Sequence, residues 1–369
     1  MANILFLTYQ GDMAGSTNSI VYLATGLAAK GHNIYMGCRV ESELYQRLQG
    51  SQVHLVAMTF KGKTDTDNMK QIRDTVILYN IQLINCQSSI DRYTAIFAKW
   101  LFRLDVLVVH TRRQLPKSTG GFLQNAFYNK GADKVVAVSA QVKKALIKLG
   151  IKENKVAVIY NGTPTAKYAT IDERKVDQLK NQYAINGNDV VIGSVSRFKE
   201  HNEMLQALAY IDQRLKVFLI GISKNVVDKE ILQSVSQKHD IIFIEKVSND
   251  EALHFLKLLK INILPSLMEG LSQSLLEAMA LGTPVIATAA LGNLDLIADE
   301  ENGLLFKSKD IKGLSEAIKR LLTDKALREK LIANGKETAL VKFNINNTIA
   351  GYEQLFKRMI ATRQELKQN

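Results

Sequence analysis

Short runs of β-branched and leucine-rich residues alternate along the chain with amphipathic segments of helix length. One series of runs occupies 3–8, 33–37, 53–56, 83–85, 106–109, 134–138 and 156–160, and a second occupies 190–195, 216–220, 241–244, 261–264, 284–287 and 303–306. Nearly continuous apolar strands are typical of parallel sheets covered by helices on both faces, because neither face meets water. The pattern predicts an α/β fold of two doubly wound, Rossmann-like parallel sheets.

A length of 369 residues suits two domains of ordinary size. The turn-rich stretch 161–168 is the natural linker and predicts a first domain over 1–165 and a second over 166–345. The remaining segment, 346–369, is predicted to be a helix with one apolar face, because Ile349, Tyr352 and Phe356 recur at helical spacing.

The cysteines, Cys38 and Cys86, lie inside apolar stretches, and no Cys or His residues are spaced as zinc ligands. We interpret both as reduced thiols of the core. The amino terminus lacks the features of a cleavable leader, and the sequence contains no uncharged apolar run long enough to cross a membrane. These features favour a cytoplasmic protein.

Positive charge is concentrated in the first half of the chain. The net charge is +12, and residues 92–155 carry 13 Lys and Arg against 3 Asp and Glu. An anionic membrane surface, a phosphorylated substrate or nucleic acid would each answer such a field, and a merely solubilising surface is the alternative. Nucleic acid is disfavoured, because no recognition motif or aromatic stacking platform accompanies the charge.

Two features of the first half point to the carboxyl edge of its sheet, where open parallel sheets bind ligands. Gly15 and Ser16 follow the first strand and precede a helix predicted over 20–30, whose free amide groups would favour a phosphate. His110 is predicted to end a strand and to reach a sugar hydroxyl. The alternatives are a loop that only caps its own helix and a histidine bonded to a backbone carbonyl.

In the second half, Arg197 and Lys199 follow the first strand, where two cations can neutralise a diphosphate or simply form a solvated surface pair. Glu269 lies in the loop after the strand 261–264, and Glu277 lies about one and a half turns into a helix that is predicted to begin near Ser272. One carboxylate is then placed to contact a sugar and the other to accept hydrogen bonds from a ribose diol, with the first-turn amides between them.

The segment 265–287, PSLMEGLSQSLLEAMALGTPVIA, resembles the signature PS-x-x-EGFG-x-x-x-LEAMA-x-GTPV-x-A of the retaining family 4 glycosyltransferases of GT-B fold, the glycogen-synthase-like, lipopolysaccharide and mannosyl transferase group. The stretches VAVS at 136–139, VIYNG at 158–162 and AKGH at 29–32 are similar to further markers of that family. The resemblance covers essentially the whole chain and implies two domains facing across a cleft that holds a nucleotide sugar.

The resemblance also implies roles for single residues. Arg197 and Lys199 match the basic pair that binds the donor diphosphate, and Glu277 matches the glutamate that holds the ribose. Glu269 matches the donor-sugar contact, together with the residues that follow it: Gly270, Leu271, Ser272, Gln273 and Ser274. Gly15, with Ser16 beside it, matches the loop near the donor phosphates and the acceptor, and His110 matches a histidine near the sugar's 6-position. Further implications are a final helix that returns to the amino-terminal domain and no divalent metal.

The sequence departs from the family pattern at three places. The match of Lys199 requires a three-residue deletion, and Asn202 is a rival for its position. Leu271 and Ser272 replace the Phe and second Gly of EGFG, which adds bulk beside the sugar. The family's GG-x-PE segment is present as LGNLD at 291–295 and keeps one glycine.

The resulting expectation is a retaining transfer of a hexose or N-acetylhexosamine from a nucleoside diphosphate sugar to an acceptor hydroxyl, in bacterial lipopolysaccharide, capsule or lipid-linked glycan synthesis. The catalytic candidates are His110, Glu269, Arg197 and Lys199. A UDP-sugar is the expected donor, GDP- and ADP-sugars stay open, and no covalently bound cofactor is expected. The amino-terminal domain would bind the acceptor, on a protein held peripherally at the inner face of the cell membrane. A nucleotide-sugar epimerase is the alternative from another class, and a basic nucleic-acid-binding protein is a weaker third.

Overall fold

The structure, a computed structural model, describes residues 1–12, 15–113, 121–169 and 171–368. The chain divides into two compact units: unit 1 comprises Met1–Gly162 with Ile345–Asn369, and unit 2 comprises Thr163–Asn344. The boundary falls slightly before the predicted position 165. The amide of Gly162 donates to Thr348 Oγ1 in unit 1, whereas the amide of Thr163 donates to the Phe343 carbonyl in unit 2.

Unit 1 contains a parallel sheet in the order β3-β2-β1-β4-β5-β6-β7. Its strands are β1 Asn3–Leu7, β2 Asn33–Cys38, β3 His54–Ala57, β4 Leu83–Cys86, β5 Leu107–Arg112, β6 Lys134–Ala137 and β7 Val156–Val158. Its first helices are α1 Gly15–Ala29, α2 Glu43–Leu48, α3 Thr66–Leu78, α4 Ser89–Leu101, α5 Phe122–Gly131 and α6 Ala140–Lys148. Val108 packs in the core on one face of the sheet and Val109 in the core on the other, as a doubly covered strand requires.

Unit 2 contains a second parallel sheet in the order β10-β9-β8-β11-β12-β13. Its strands are β8 Val191–Val195, β9 Lys216–Ile220, β10 Asp240–Ile244, β11 Ile261–Leu264, β12 Val285–Thr288 and β13 Leu304–Phe306. Its helices are α7 Ala166–Ala169, α8 Glu173–Gln182, α9 His201–Leu208, α10 Lys229–Ser236, α11 Asn249–Leu258, α12 Gln273–Leu281, α13 Asn293–Leu296, α14 Ile311–Thr323 and α15 Lys325–Glu337. Both sheets confirm the predicted α/β class.

The last helix, α16 Ile345–Gln368, belongs to unit 1 and packs against α1. Tyr352 and Phe356 on its apolar face are fully buried in the same core as β1 and β2. The Tyr352 hydroxyl lies 3.0 Å from Thr111 Oγ1, which anchors the helix to β5. The helical spacing that predicted this segment therefore corresponds to a face buried in unit 1.

Two boundaries differ from the sequence prediction. The first helix begins at Gly15 and not at Ile20, because the hydroxyls of Thr17 and Ser19 donate to the carbonyls of Asp12 and Gly15 and satisfy backbone groups of this polar stretch. Strand β5 continues to Arg112 and does not end at His110, because its ladder with β6 extends to the pair Arg112 and Ala137.

The strand orders place a topological switch point between β1 and β4 and another between β8 and β11. Connections from neighbouring strands leave in opposite directions at such a point, and the crevice beyond their carboxyl ends is where open α/β sheets bind ligands. In unit 2 the two loops that border this crevice are 196–200, after β8, and 265–272, after β11. These loops carry Arg197 and Lys199 on one side of the crevice and residues 269–272 on the other.

Candidate functional site

The two loops at the switch point of unit 2 are tied directly to each other. The amide of Glu200 donates to the Pro265 carbonyl at 3.0 Å, and the Glu200 carboxylate accepts from the amide of Leu267 at 3.2 Å. Each loop therefore limits the movement of the other. Charged side chains carried on them are held at one place on the edge of the sheet.

Lys199 and Glu269 meet across this junction. Lys199 Nζ lies 3.5 Å from Glu269 Oε1, which also accepts from Ser266 Oγ at 2.9 Å, and the two side chains stay 26% and 22% exposed. Arg197 is exposed on the same loop, and its side chain forms no ion pair within the described residues. The site thus presents one free guanidinium and one ammonium–carboxylate pair to solvent.

Asn202, the rival for the position of Lys199, contacts the start of α10 and not Glu269. Its side-chain oxygen accepts from the amide of Asp228, which caps α10, at 3.2 Å. Of the two candidates for the second cation position, only Lys199 reaches Glu269.

His201 organises the cationic loop and was missed by the sequence reasoning. Its Nδ1 accepts from the amide of Lys199 at 2.9 Å, so its Nε2 carries the hydrogen and donates to Ser194 Oγ at 2.9 Å. Burial, with a smaller contribution from Lys199, lowers the pKa of His201 to about 3. The ring is neutral at physiological pH and holds the loop between Arg197 and Lys199 in shape. No motif in the sequence marks it.

The start of α12 lies in the second loop, as predicted. Ser272 is the N-cap, and its hydroxyl accepts from the amide of Leu275 at 3.3 Å. The amides of Gln273 and Ser274 belong to the first turn and have no intrahelical partner by helix geometry. Gly270 and Leu271 are buried before the cap, so the added bulk of Leu271 is not exposed to solvent.

Glu277 is not free in the structure. Its carboxylate is bonded to Lys167 Nζ, and both side chains are only 14% exposed. Lys167 lies on α7, within the turn-rich stretch 161–168, and nothing in its sequence context marks it. A ribose that used Glu277 would have to share or displace this lysine.

The segment that departs from the family's GG-x-PE pattern supports the same loop. The amide of Gly292 donates to the Glu269 carbonyl at 3.0 Å, and a Cβ at this position would lie 2.0 Å from the Gly270 carbonyl oxygen. Only glycine fits there. Leu291 occupies the place of the other glycine and adopts φ of 43°, the left-handed region that L side chains avoid.

The residues predicted in unit 1 are less exposed than expected, apart from the start of α1. Gly15 and Ser16 lie in the first turn of α1, beyond the carboxyl end of β1, while Met13 and Ala14 of the same loop lie outside the described residues. His110 is 1% exposed, and its pKa is lowered well below the ordinary value by burial and by the nearby Arg92. It is paired in register with Cys86, the last residue of β4, yet its ring packs edge-on against Tyr128 of α5.

The basic stretch 92–155 is not a uniform charged surface. Lys99 Nζ pairs with Asp133 at 2.8 Å, and Lys155 Nζ donates to the Ala132 carbonyl at 2.6 Å. Arg92 and Arg112 line an internal cavity, whereas Arg103 is exposed. Lys117, expected to add to the surface charge, lies outside the described residues.

The described part of the chain contains neither a candidate metal cluster nor a helix that could cross a membrane. In these residues no three His, Cys, Asp or Glu side chains come together as a metal site would require. None of the helices described combines the length and apolar character needed to cross a bilayer.

Two protein-family models match this chain, one in each half. The sequence model of the family described as glycosyltransferase family 4 matches residues 13–167, and that of glycosyl transferases group 1 matches residues 175–338. The chain belongs to glycosyltransferase family 4. The two matches together cover both units, and the GT-B fold expected from the motif at 265–287 is confirmed.

One relative by sequence and two solved structures are similar to this chain. The capsular polysaccharide biosynthesis glycosyltransferase CapM of Staphylococcus aureus is 28% identical over 225 residues, which is 58% of this chain and 58% of CapM. A glycosyltransferase structure from Rickettsia africae aligns with a TM-score of 0.82 at 19% identity, covering 97% of this chain and 98% of that one. Anabaena Alr3699/HepE, solved in complex with UDP-glucose, gives 0.81 at 18% identity, covering 97% and 100%.

Leu291→Gly should stabilise the protein relative to Leu291→Ala by about 1 kcal/mol, because alanine keeps the Cβ that makes a left-handed backbone costly. The comparison of these two variants cancels the lost contacts of the leucine side chain. Urea denaturation of both proteins measures the difference in the free energy of unfolding. Equal stabilities would show that residue 291 is not held at positive φ.

His201→Asn should reduce the loss of stability in acid. The unfolded chain takes up a proton near the ordinary pKa of 6.5 while folded His201, with a pKa of about 3, does not, so stability falls as the pH drops below 6.5. Between about pH 7 and about pH 5 this contribution is about 2 kcal/mol. Asparagine keeps an acceptor near Nδ1 but does not titrate. Unfolding free energies at both pH values test this, and an unchanged pH dependence in the variant would contradict it.

Proposed function

We propose that the protein transfers a sugar from a UDP-sugar to an acceptor hydroxyl, with retention of the anomeric configuration, in the assembly of a cell-surface glycan. The observation that carries this proposal is the junction of Arg197, Lys199 and Glu269 at the switch point of unit 2, beside the first turn of α12. It unites cations for a diphosphate with a carboxylate for sugar hydroxyls on tied loops.

The donor diphosphate would lie against Arg197 and Lys199. Arg197 offers a planar set of donors that suits two phosphate oxygens, and Lys199 adds a mobile point charge. The amides of Gln273 and Ser274 at the start of α12 add fixed donors, and the helix dipole favours an anion there. Preorganised donors of this kind stabilise the charge that develops on the leaving nucleotide.

The sugar and the ribose would each use one glutamate. Glu269 is oriented by Ser266 and Lys199 and keeps acceptor capacity for sugar hydroxyls, since an ionised carboxylate accepts several hydrogen bonds. Glu277 would accept from the ribose diol, with Lys167 moving aside or donating to the same ligand. In unit 1, Gly15 and Ser16 would contribute first-turn amides of α1, and neutral His110 would act only as a hydrogen-bonding group.

Retention is proposed to proceed by attack on the face from which the nucleotide leaves. The bond between C1 and the diphosphate oxygen breaks, the acceptor oxygen bonds to C1 on the same face, and the acceptor proton passes to the departing diphosphate. Arg197 and Lys199 hold that diphosphate, and no divalent metal is invoked. A covalent glycosyl adduct trapped on Glu269 would overturn this scheme.

UDP is the proposed nucleotide because a protein of the same fold was solved with UDP-glucose. A polysaccharide acceptor is proposed from the name of the staphylococcal relative, CapM. The UDP nucleotide and the polysaccharide acceptor are both part of the proposal for this chain. The epimerase alternative predicts that a UDP-sugar is isomerised with no acceptor present, so product analysis without acceptor separates the two.

Calorimetric titration with UDP, GDP and ADP should show binding of UDP, weakened at least about tenfold by Arg197→Ala and by Glu277→Ala. Each variant removes a charge-assisted hydrogen bond, which contributes about 1.5–3 kcal/mol. Arg214→Ala is the matched control, because Arg214 is exposed near the start of β9, at the opposite edge of the sheet, and forms only a surface pair with Asp240. Equal UDP affinity in all variants would remove the donor site from these residues.

Peripheral membrane association is a separate proposal from the basic stretch 92–155. Trp100 and Arg103 are exposed around the end of α4, at the amino edge of the sheet of unit 1. Lys99 is unsuitable as a membrane contact because Asp133 already holds it.

Trp100→Ser with Arg103→Glu should abolish co-flotation with vesicles that contain an anionic phospholipid, because it removes an apolar side chain and reverses a charge. Tyr210→Ser with Arg214→Glu is the control, since it changes an exposed aromatic residue and an arginine after α9 in unit 2. Vesicle binding that is unchanged by the first pair, or absent in the parent protein, would eliminate this surface.

A further inference from the structure

Unit 1 contains a cavity beneath α5 that has only His110 in common with the residues proposed to bind the donor. It is a pocket that opens to solvent, with about 400 Å³ of empty space when the open solvent is included, between β5, β6 and the helices α4, α5 and α6. Its polar lining consists of Arg92, His110, Arg112, Gln124, Asn125 and Tyr128. The rest of its wall is aliphatic and comes from β6, α6 and the turn after α6.

The two arginines of this cavity are not paired with a carboxylate in the part of the chain that the structure describes. Arg92 is 7% exposed, and neither it nor Arg112 forms an ion pair within the described residues. Burial, followed by repulsion from Arg92, lowers the pKa of Arg112 to about 10. Asp91, the carboxylate next to Arg92 in sequence, is already held by the amides of Gln87 and Ser88 at 2.8 and 2.9 Å.

Further polar atoms at the cavity lack partners. Arg92 Nε and His110 Nε2 are buried and form no hydrogen bond among the described residues. The guanidinium of Arg92 lies 5.7 Å from the centroid of the Tyr128 ring, a contact that orients the cation without neutralising it. A buried cation with an unused donor, Arg92, close to the half-buried cation Arg112 is costly unless an anion joins the pair.

We propose that this cavity binds a doubly charged phosphate group. Two guanidinium groups match a charge near −2, whereas a carboxylate would leave one of them uncompensated. Arginine also presents its donors in a planar fork that suits phosphate oxygens. Neutral His110 and the Tyr128 hydroxyl complete the polar wall.

The carrier of the phosphate is assigned from the proposed function, on which this step rests. The phosphate is a monoester group of the acceptor, bound in unit 1 while unit 2 binds the donor. Arg92 and Arg112, which belong to the basic stretch 92–155, then serve to bind this phosphate group. Free inorganic phosphate has the same chemistry and is separated from the ester by experiment.

Binding is measured by calorimetry in the Arg197→Ala, Lys199→Ala protein, so that the cations proposed for the donor diphosphate do not contribute. The probes are inorganic phosphate and methyl phosphate at constant ionic strength. Both should bind, and Arg112→Gln or Arg92→Gln in this background should weaken them at least about tenfold. Arg103→Gln, an exposed arginine of the same unit, is the matched control and should have no effect.

A second readout separates loss of binding from loss of folding. Without phosphate, Arg112→Gln should melt at a temperature no lower than its parent, because it removes one of two mutually repelling buried cations. Phosphate should raise the melting temperature of the parent and not that of this variant. A phosphate effect that is absent in the parent, or equal in Arg112→Gln, would overturn the proposal.

Measurements of UDP binding separate a failure of the proposed function from a failure of the phosphate proposal. UDP affinity measured in Arg112→Gln with Arg197 and Lys199 intact should equal that of the parent, so a protein that binds phosphate but not UDP contradicts only the donor site. Binding of UDP without either phosphate probe contradicts only the cavity. Binding of inorganic phosphate but not methyl phosphate overturns the assignment to an acceptor ester.

Discussion

Burial of both faces of each parallel sheet is the constraint on which the rest of the molecule depends. Because helices cover both faces, side chains along the strands are committed to the cores, and functional groups are left to the loops at the strand ends. The loops after β8 and β11 leave in opposite directions and are joined by Glu200. The sheet therefore determines where Lys199 and Glu269 meet. The hydrogen bonds between the two loops limit the movement of these side chains relative to each other.

The two units differ in whether their functional cations are paired with carboxylates. In unit 2, Lys199 and Lys167 each contact a glutamate, so their charges are compensated, and a ligand has to compete with Glu269 or Glu277. In unit 1, buried Arg92 and half-buried Arg112 form no ion pair among the described residues, so the unliganded protein bears the cost of their desolvation. A ligand anion would relieve that cost, which makes the cavity selective for charge.

Local backbone constraints support the same site. Gly292 approaches the Gly270 carbonyl so closely that no side chain fits, while Leu291 beside it accepts a left-handed backbone. Neutral His201 bonds both the amide of Lys199 and Ser194 of β8, so the cationic loop is anchored to the sheet without a competing charge. Strain and a buried neutral histidine are tolerated here because the surrounding hydrogen bonds stabilise the loop.

The sequence by itself determined the alternation of strands and helices, the division into two units, the positions of Arg197, Lys199 and Glu269 in loops after strands and that of Glu277 in the following helix, because these follow from local periodicity and a contiguous motif. It did not reveal that β5 continues to Arg112, since strand length depends on pairing with β6. Nor did it reveal His201, Lys167 or the cavity of Arg92 and Arg112, whose contacts join residues distant in sequence or depend on burial. Only the tertiary structure decides such contacts, because hydrogen bonds and desolvation depend on which groups the folded chain brings together.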